Sequence, residues 1–133
     1  MHTFEYMIDE MQKRGYKLTP QRITIVQVLA ENPHDHPSLN DIYEQVKARL
    51  PTVSFSTLYN TISTLEKIGL LKLFNFQGET RVDMNTKNHI NIIHSNTGTI
   101  LDVNDEKIIE TIYKTLQNGL SHHEHILVNI IVY

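Results

Sequence analysis

Imidazole and carboxylate are the groups in this sequence best suited to chemistry. His36, Asp83, His89 and Asp102 stand on four separate stretches, and the chain has no cysteine. Nitrogen and oxygen donors without thiolate suit Fe2+, Mn2+ or Zn2+, with the harder ions favoured. No tight local pattern such as H-x-x-x-H joins them. Taken singly, each also reads as a surface histidine or an aspartate closing a strand. No nucleophile or general base accompanies them, which argues against a hydrolytic metalloenzyme and for an ion with a conformational role.

A second set lies between Pro51 and Gly69. Leu58, Ile62 and Leu65 recur at helical spacing and share one face, while Ser56, Asn60, Ser63 and Lys67 share the opposite one. That outer face bears hydroxyls, one amide and one cation, with none of the Glu/Lys pairs of an ordinary solvated helix. Short donors and acceptors suit a helix lying against base edges and phosphates in a major groove. A solvated helix rich in Ser and Thr would look the same in isolation, so its surroundings decide.

Those surroundings read as follows. Residues 3–14 form a helix on Phe4, Met7, Ile8 and Met11, stopped at Gly15. Thr19-Pro20 starts a second helix, with Thr as N-cap and Pro at the first position, running to about Ala30 on Ile23, Val26 and Ala30. Residues 31–37 are a loop. Ser38 caps a third helix with Asp41 in capping-box position, and Leu39, Ile42, Tyr43, Val46 and Leu50 form its apolar face. After the fourth helix, Leu70–Phe76 and Glu79–Asp83 read as strands around Gln77-Gly78. Helices followed by a β-hairpin predict a winged helix-turn-helix over residues 1–84, in which the 54–67 helix reads the groove. A winged helix that serves protein interaction, or that regulates without metal, stays open at this point.

Residues 85–133 predict a small α/β unit. It has strands at Ile90–His94 and Thr99–Val103, a helix capped by Asn104 or Asp105 and ended at Asn118-Gly119, and an apolar strand from His125 to Tyr133. The overall class is α+β. About 45 residues are too few to bury such strands on both faces, so pairing with a second copy is expected, presenting two reading helices to a palindromic site.

Composition fits this picture. The 133 residues carry a net charge of −3, but residues 1–82 balance nine Lys/Arg against nine Asp/Glu. Lys13, Arg14, Lys17 and Arg22 form a run with no acid between Met11 and Ala30. Such a local patch binds phosphates whatever the total charge. No apolar run approaches the ~20 residues that span a membrane, so the cytoplasm is expected and no membrane partner.

Gly15-x-x-Leu18-Thr19-Pro20-Gln21-Arg22, His36-Pro37-Ser38 leading to Ile42-Tyr43, Ser56-Thr57-Leu58-Tyr59-Asn60, Gly69-Leu70, Arg81-x-Asp83, His89 and Gly98-x-Ile100-x-Asp102 together resemble the ferric uptake regulator family. The resemblance covers most of the chain. It implies a homodimeric winged-helix repressor that binds double-stranded operator DNA when loaded with a divalent metal, and that is not an enzyme. Asp83, Asp102 and Tyr59-Asn60 look more like the peroxide-sensing PerR branch than the iron-sensing one. The resemblance puts the metal on His36, Asp83, His89, Asn91 and Asp102. Asn91 stands where the family usually has histidine, and its amide oxygen is a harder and weaker donor than imidazole. The nitrogen and oxygen donors favour Fe2+ or Mn2+, with Zn2+ competing in purified protein, and Lys17, Arg22, Ser56, Thr57, Tyr59 and Asn60 are the expected DNA contacts. The family's four-cysteine zinc site is missing. His94 and His123 stand as candidates for a secondary metal site, and His122, His123 and His125 also read as a merely exposed cluster.

Overall fold

Each of the first helices starts where a short polar side chain can accept a backbone N–H. The computed structural model describes residues 2–116, 119 and 125–133. The chain divides into two units, Met1–Thr86 and Lys87–Tyr133. The first holds α1 (Phe4–Lys13), α2 (Pro20–Glu31), α3 (Leu39–Arg49), α4 (Phe55–Lys67), β1 (Lys72–Phe76) and β2 (Glu79–Asp83). Thr19 Oγ1 accepts from the Arg22 N–H and Ser54 Oγ from the Thr57 N–H. At α3 the box is reciprocal: Ser38 Oγ accepts from the Asp41 N–H, and Asp41 Oδ2 accepts from the Ser38 N–H. Each such cap contributes about 1 kcal/mol.

α4 ends in a Schellman motif. Gly69 takes φ +84, its N–H bonds the Glu66 carbonyl, and the Leu70 N–H reaches back to the Leu65 carbonyl. Leu65 and Leu70 are both buried, which supplies the motif's hydrophobic contact. This explains why β1 starts at Lys72 rather than at Leu70: Leu70 and Leu71 are spent on the core of the helical bundle.

α2 departs from expectation in its buried face. Ile25, Val26, Val28 and Leu29 are buried, while Ile23 and Ala30 are only half-buried. α2 packs against α1, α3 and α4, so it is apolar around much of its girth and has no single stripe to read. Met7, Met11, Ile42, Leu58, Ile62 and Leu65 complete the core. α3 and α4 bury the faces expected of them.

β1 and β2 pair antiparallel with Phe76 opposite Glu79. Gln77 and Gly78 both take positive φ, +52 and +80, the geometry of a two-residue hairpin turn. β2 also pairs away from the hairpin. The Val82 N–H donates to the Pro37 carbonyl, and Ser38 bridges to Arg81. The loop before α3 is thereby attached to the wing.

The second unit is a three-stranded sheet in the order β4-β3-β5, built from β3 (His89–His94), β4 (Thr99–Val103) and β5 (Leu127–Val132), with α5 (Glu106–Thr115) between β4 and β5. β3 runs antiparallel to β4 and parallel to β5. Asp105 caps α5, its Oδ1 accepting from the Lys107 and Ile108 N–H groups. α5 ends at Thr115 with Leu116 as its cap, before the expected Asn118-Gly119 stop, and Asn118 lies outside the described residues. β3 begins one residue earlier than expected and β5 starts at Leu127 rather than His125. Ile90 packs with Ile109 and Tyr113 of α5, and Val103, Ile112, Ile126 and Val128 surround them. Leu101, Ile130, Ile131, Val132 and Tyr133 stay exposed. Among the described residues no helix is long and apolar enough to cross a membrane.

Candidate metal centre and nucleic-acid interface

His36 follows directly from the attachment of its loop to the wing. Its backbone turns left-handed, at φ +47, and the guanidinium of Arg81 donates through Nη1 to its carbonyl oxygen at 3.1 Å. A charge-assisted bond of this kind contributes ~1.5–3 kcal/mol and offsets the cost of the left-handed turn. The imidazole is turned inward, 2% exposed, with Nε2 3.7 Å from Oδ2 of Asp83, the last residue of β2. Asp83 is fully buried, and its other oxygen accepts from the Asn85 N–H at 2.9 Å. One carboxylate oxygen is thus oriented by the backbone while the second faces the ring.

At 3.7 Å the two atoms are too far apart for a hydrogen bond. Two ligands each about 2.1 Å from a shared ion can stand up to about 4.2 Å apart. The separation therefore fits a pair that shares a cation. Burying a carboxylate against an imidazole costs several kcal/mol unless positive charge compensates it, about as a bound divalent ion would.

In the second unit, His89 and Asn91 lie on the same face of β3, opposite the face that Ile90 turns to α5. His89 is buried, and its Nδ1 lies 2.7 Å from the Lys87 carbonyl. A carbonyl only accepts, so Nδ1 carries the proton and Nε2 carries the lone pair. Second-shell bonds of this type set the tautomer of metal-binding histidines. Asn91 pairs across the ladder with Asp102 of β4 on one side and Asn129 of β5 on the other. Its Nδ2 donates to Asn129 Oδ1 at 3.2 Å. The three side chains form a polar row across one face of the sheet. His94 stands on the opposite face of β3 from His89 and Asn91. His122 and His123 lie outside the described residues, and His125 is exposed.

On the first unit, Ser56, Tyr59 and Asn60 are exposed along α4, with Tyr59 at 49%. Thr57 is half-buried and shares its hydroxyl with Ser54 at 2.9 Å, so it serves the cap. Lys17 is exposed in the turn before α2, and Arg22 Nη1 donates to the Lys17 carbonyl at 2.6 Å. Arg22 thus braces that turn, and a guanidinium has further donors for a phosphate. Sequence reading missed Phe55, exposed at the start of α4 with its ring set edge-on to Tyr43 at 5.5 Å. Arg81 entered only as part of Arg81-x-Asp83, without the bracing role that the loop's attachment to the wing gives it, and Asn129, whose role depends on the parallel register of β3 and β5, was missed. No local pattern marks either role.

The ferric uptake regulator family model matches residues 13–130. A ferric uptake regulation protein homolog from Archaeoglobus fulgidus is 40% identical over 112 residues, covering 84% of this chain and 86% of that protein. The peroxide-responsive repressor PerR of Staphylococcus epidermidis is 34% identical over 102 residues, covering 76% of this chain and 67% of that protein. Among solved structures, the Helicobacter pylori ferric uptake regulator Fur, described as having three functional metal binding sites, superposes with a TM-score of 0.79 at 21% identity over 99% of this chain and 91% of that one.

Proposed function

Because the chain belongs to the ferric uptake regulator family, whose members are metal-responsive transcription regulators and not enzymes, we propose that it is a homodimeric cytoplasmic repressor that binds operator DNA when it holds a divalent metal, and that it serves a peroxide or metal-ion stress response. The observation that carries the metal reading is the buried His36–Asp83 pair, with a separation suited to a shared ion and an orienting bond on Asp83. His36, Asp83, His89, Asn91 and Asp102 would hold the ion. Bound there, it would supply positive charge that makes the burial of Asp83 favourable. Three of the five donors are oxygens, which favours Fe2+ or Mn2+ in cells, while Zn2+ competes in purified protein by its higher intrinsic affinity.

The DNA reading rests on the carboxylate-free exposed face of α4. Asn60 suits an adenine edge, Tyr59 and Ser56 its neighbours, and Lys17 and Arg22 the phosphates. Thr57 acts through the cap. The exposed apolar side chains of β5 and Leu101 support pairing of two copies through the second unit, without a thiolate zinc site. Ligands drawn from both units couple metal loading to DNA affinity.

A duplex selected from a randomised library with Mn2+ present is the probe that tests this. Its affinity should fall ~5–150-fold when the metal is chelated, and the duplex should tighten Mn2+ binding by the same factor. Placed across a promoter, it should lower reporter expression. Sedimentation with EDTA should still show two subunits. Equal DNA affinity with and without metal would leave a metal-independent winged-helix regulator, and a monomer would remove the pairing.

The 34% identity to a peroxide-responsive repressor supports the narrower reading. Brief peroxide should add oxygen mass to the His36 or His89 peptide of the Fe2+ form but not of the Mn2+ form, with loss of DNA binding. An unmodified peptide from protein whose iron content has been verified would leave a metal-responsive regulator that does not sense peroxide by histidine oxidation.

A further inference from the structure

Asn91 is fully buried on β3, and an amide offers a metal only its carbonyl oxygen, because the nitrogen lone pair is delocalised. The amide's two ends are nearly the same size, so packing alone does not decide which end faces a ligand. In this chain the orientation is set as a pair with a neighbour that presents its own amide oxygen. Asn129 stands in register with Asn91 on the adjacent parallel strand and accepts from its Nδ2 at 3.2 Å. Holding the nitrogen toward β5 turns the oxygen away from β5, to the side of the row where Asp102 pairs with Asn91.

We propose that Asn129 is a positioning residue that makes position 91 an oxygen donor, and that through it the chain favours Mn2+ over Zn2+. The inference rests on the ligand set proposed above. A site of His36, Asp83, His89 and Asp102 alone satisfies tetrahedral Zn2+. Mn2+ prefers more ligands and harder ones, so a fixed oxygen at position 91 matters chiefly to Mn2+. Asn129 is exposed on its strand, so its replacement leaves the sheet's apolar contacts with α5 in place.

Competition against a chromophoric chelator, with Mn2+ and Zn2+ each titrated into the full-length protein, tests this. Asn129→Ala should lower Mn2+ affinity about tenfold, the scale of lost outer-shell partners, and change Zn2+ affinity much less. Asn129→Asp keeps an acceptor and should retain the Mn2+ coordination, read from the Mn2+ electron paramagnetic resonance line shape. A merely structural Asn129 would instead lower the melting temperature and leave the ratio of the two affinities unchanged, which would overturn the proposal. Asn91→Ala separates the two levels. If it weakens Mn2+ binding and Asn129→Ala does not, the ligand set stands and Asn129's role falls. If neither Asn91→Ala nor His89→Ala alters binding of either ion, the ligand set itself is wrong.

Discussion

His89→Ala should abolish the metal dependence of DNA binding while leaving the residual, metal-free affinity in place. His89 is the first residue of β3, buried, with Nδ1–H committed to the Lys87 carbonyl at 2.7 Å. Its Nε2 is one of two imidazole nitrogens in the proposed set, and alanine offers nothing in its place. The loss should equal the whole coupling free energy, ~1–3 kcal/mol. A cavity at a buried position also costs stability, so circular dichroism melts of the metal-free proteins are needed beside the titrations. His34, exposed in the loop that carries His36, is the control. His34→Ala should keep full metal dependence. If His89→Ala kept it too, with the fold intact, His89 would not be a ligand.

Leu58→Ala should be the most damaging single change to the first unit. Leu58 is fully buried in α4, in the core that also holds Met11, Ile25, Ile42 and Leu65. Truncation of a buried leucine costs ~2–5 kcal/mol, the spread reflecting how far the site collapses. Domains have only ~5–15 kcal/mol in all. Urea unfolding followed by helical ellipticity should show a lower midpoint with little change in slope. Ser56→Ala, exposed two residues earlier, should stay within ~0.5 kcal/mol. A cost below ~1 kcal/mol for Leu58→Ala would mean that α4 does not pack on the face assigned to it.

The helices were legible because their signals are local. Thr19-Pro20, Ser38 with Asp41, and Gly69 each act within one turn, and the structure places a cap or a stop at all three. The 79–83 strand and the Gln77-Gly78 turn were legible for the same reason. α2 was harder because a helix enclosed on several sides has no stripe, so periodicity found Val26 but passed over Ile25, Val28 and Leu29. Of the proposed ligands, His36, Asp83, His89 and Asp102 stood out by residue type alone. The parts that orient them did not. The Val82–Pro37 bond joins segments far apart in sequence, and the Asn91–Asn129 pair needs a parallel register that no turn dictates. Arginine and asparagine at such positions look like ordinary surface residues until their partners are known.

The burial of the methionines bears on how oxidation of this protein can be followed. Of the four, Met7, Met11 and Met84 are buried to within 1% of full enclosure, and the chain has no thiol. Sulfur is the usual first target of peroxide, and exposure governs how fast it reacts. With Met7, Met11 and Met84 shielded, the background of adventitious sulfoxide at these three positions should be low. An added oxygen on a peptide containing His36 or His89 then reports imidazole chemistry with little sulfur signal to subtract, and the mass of that peptide becomes a usable clock for the reaction.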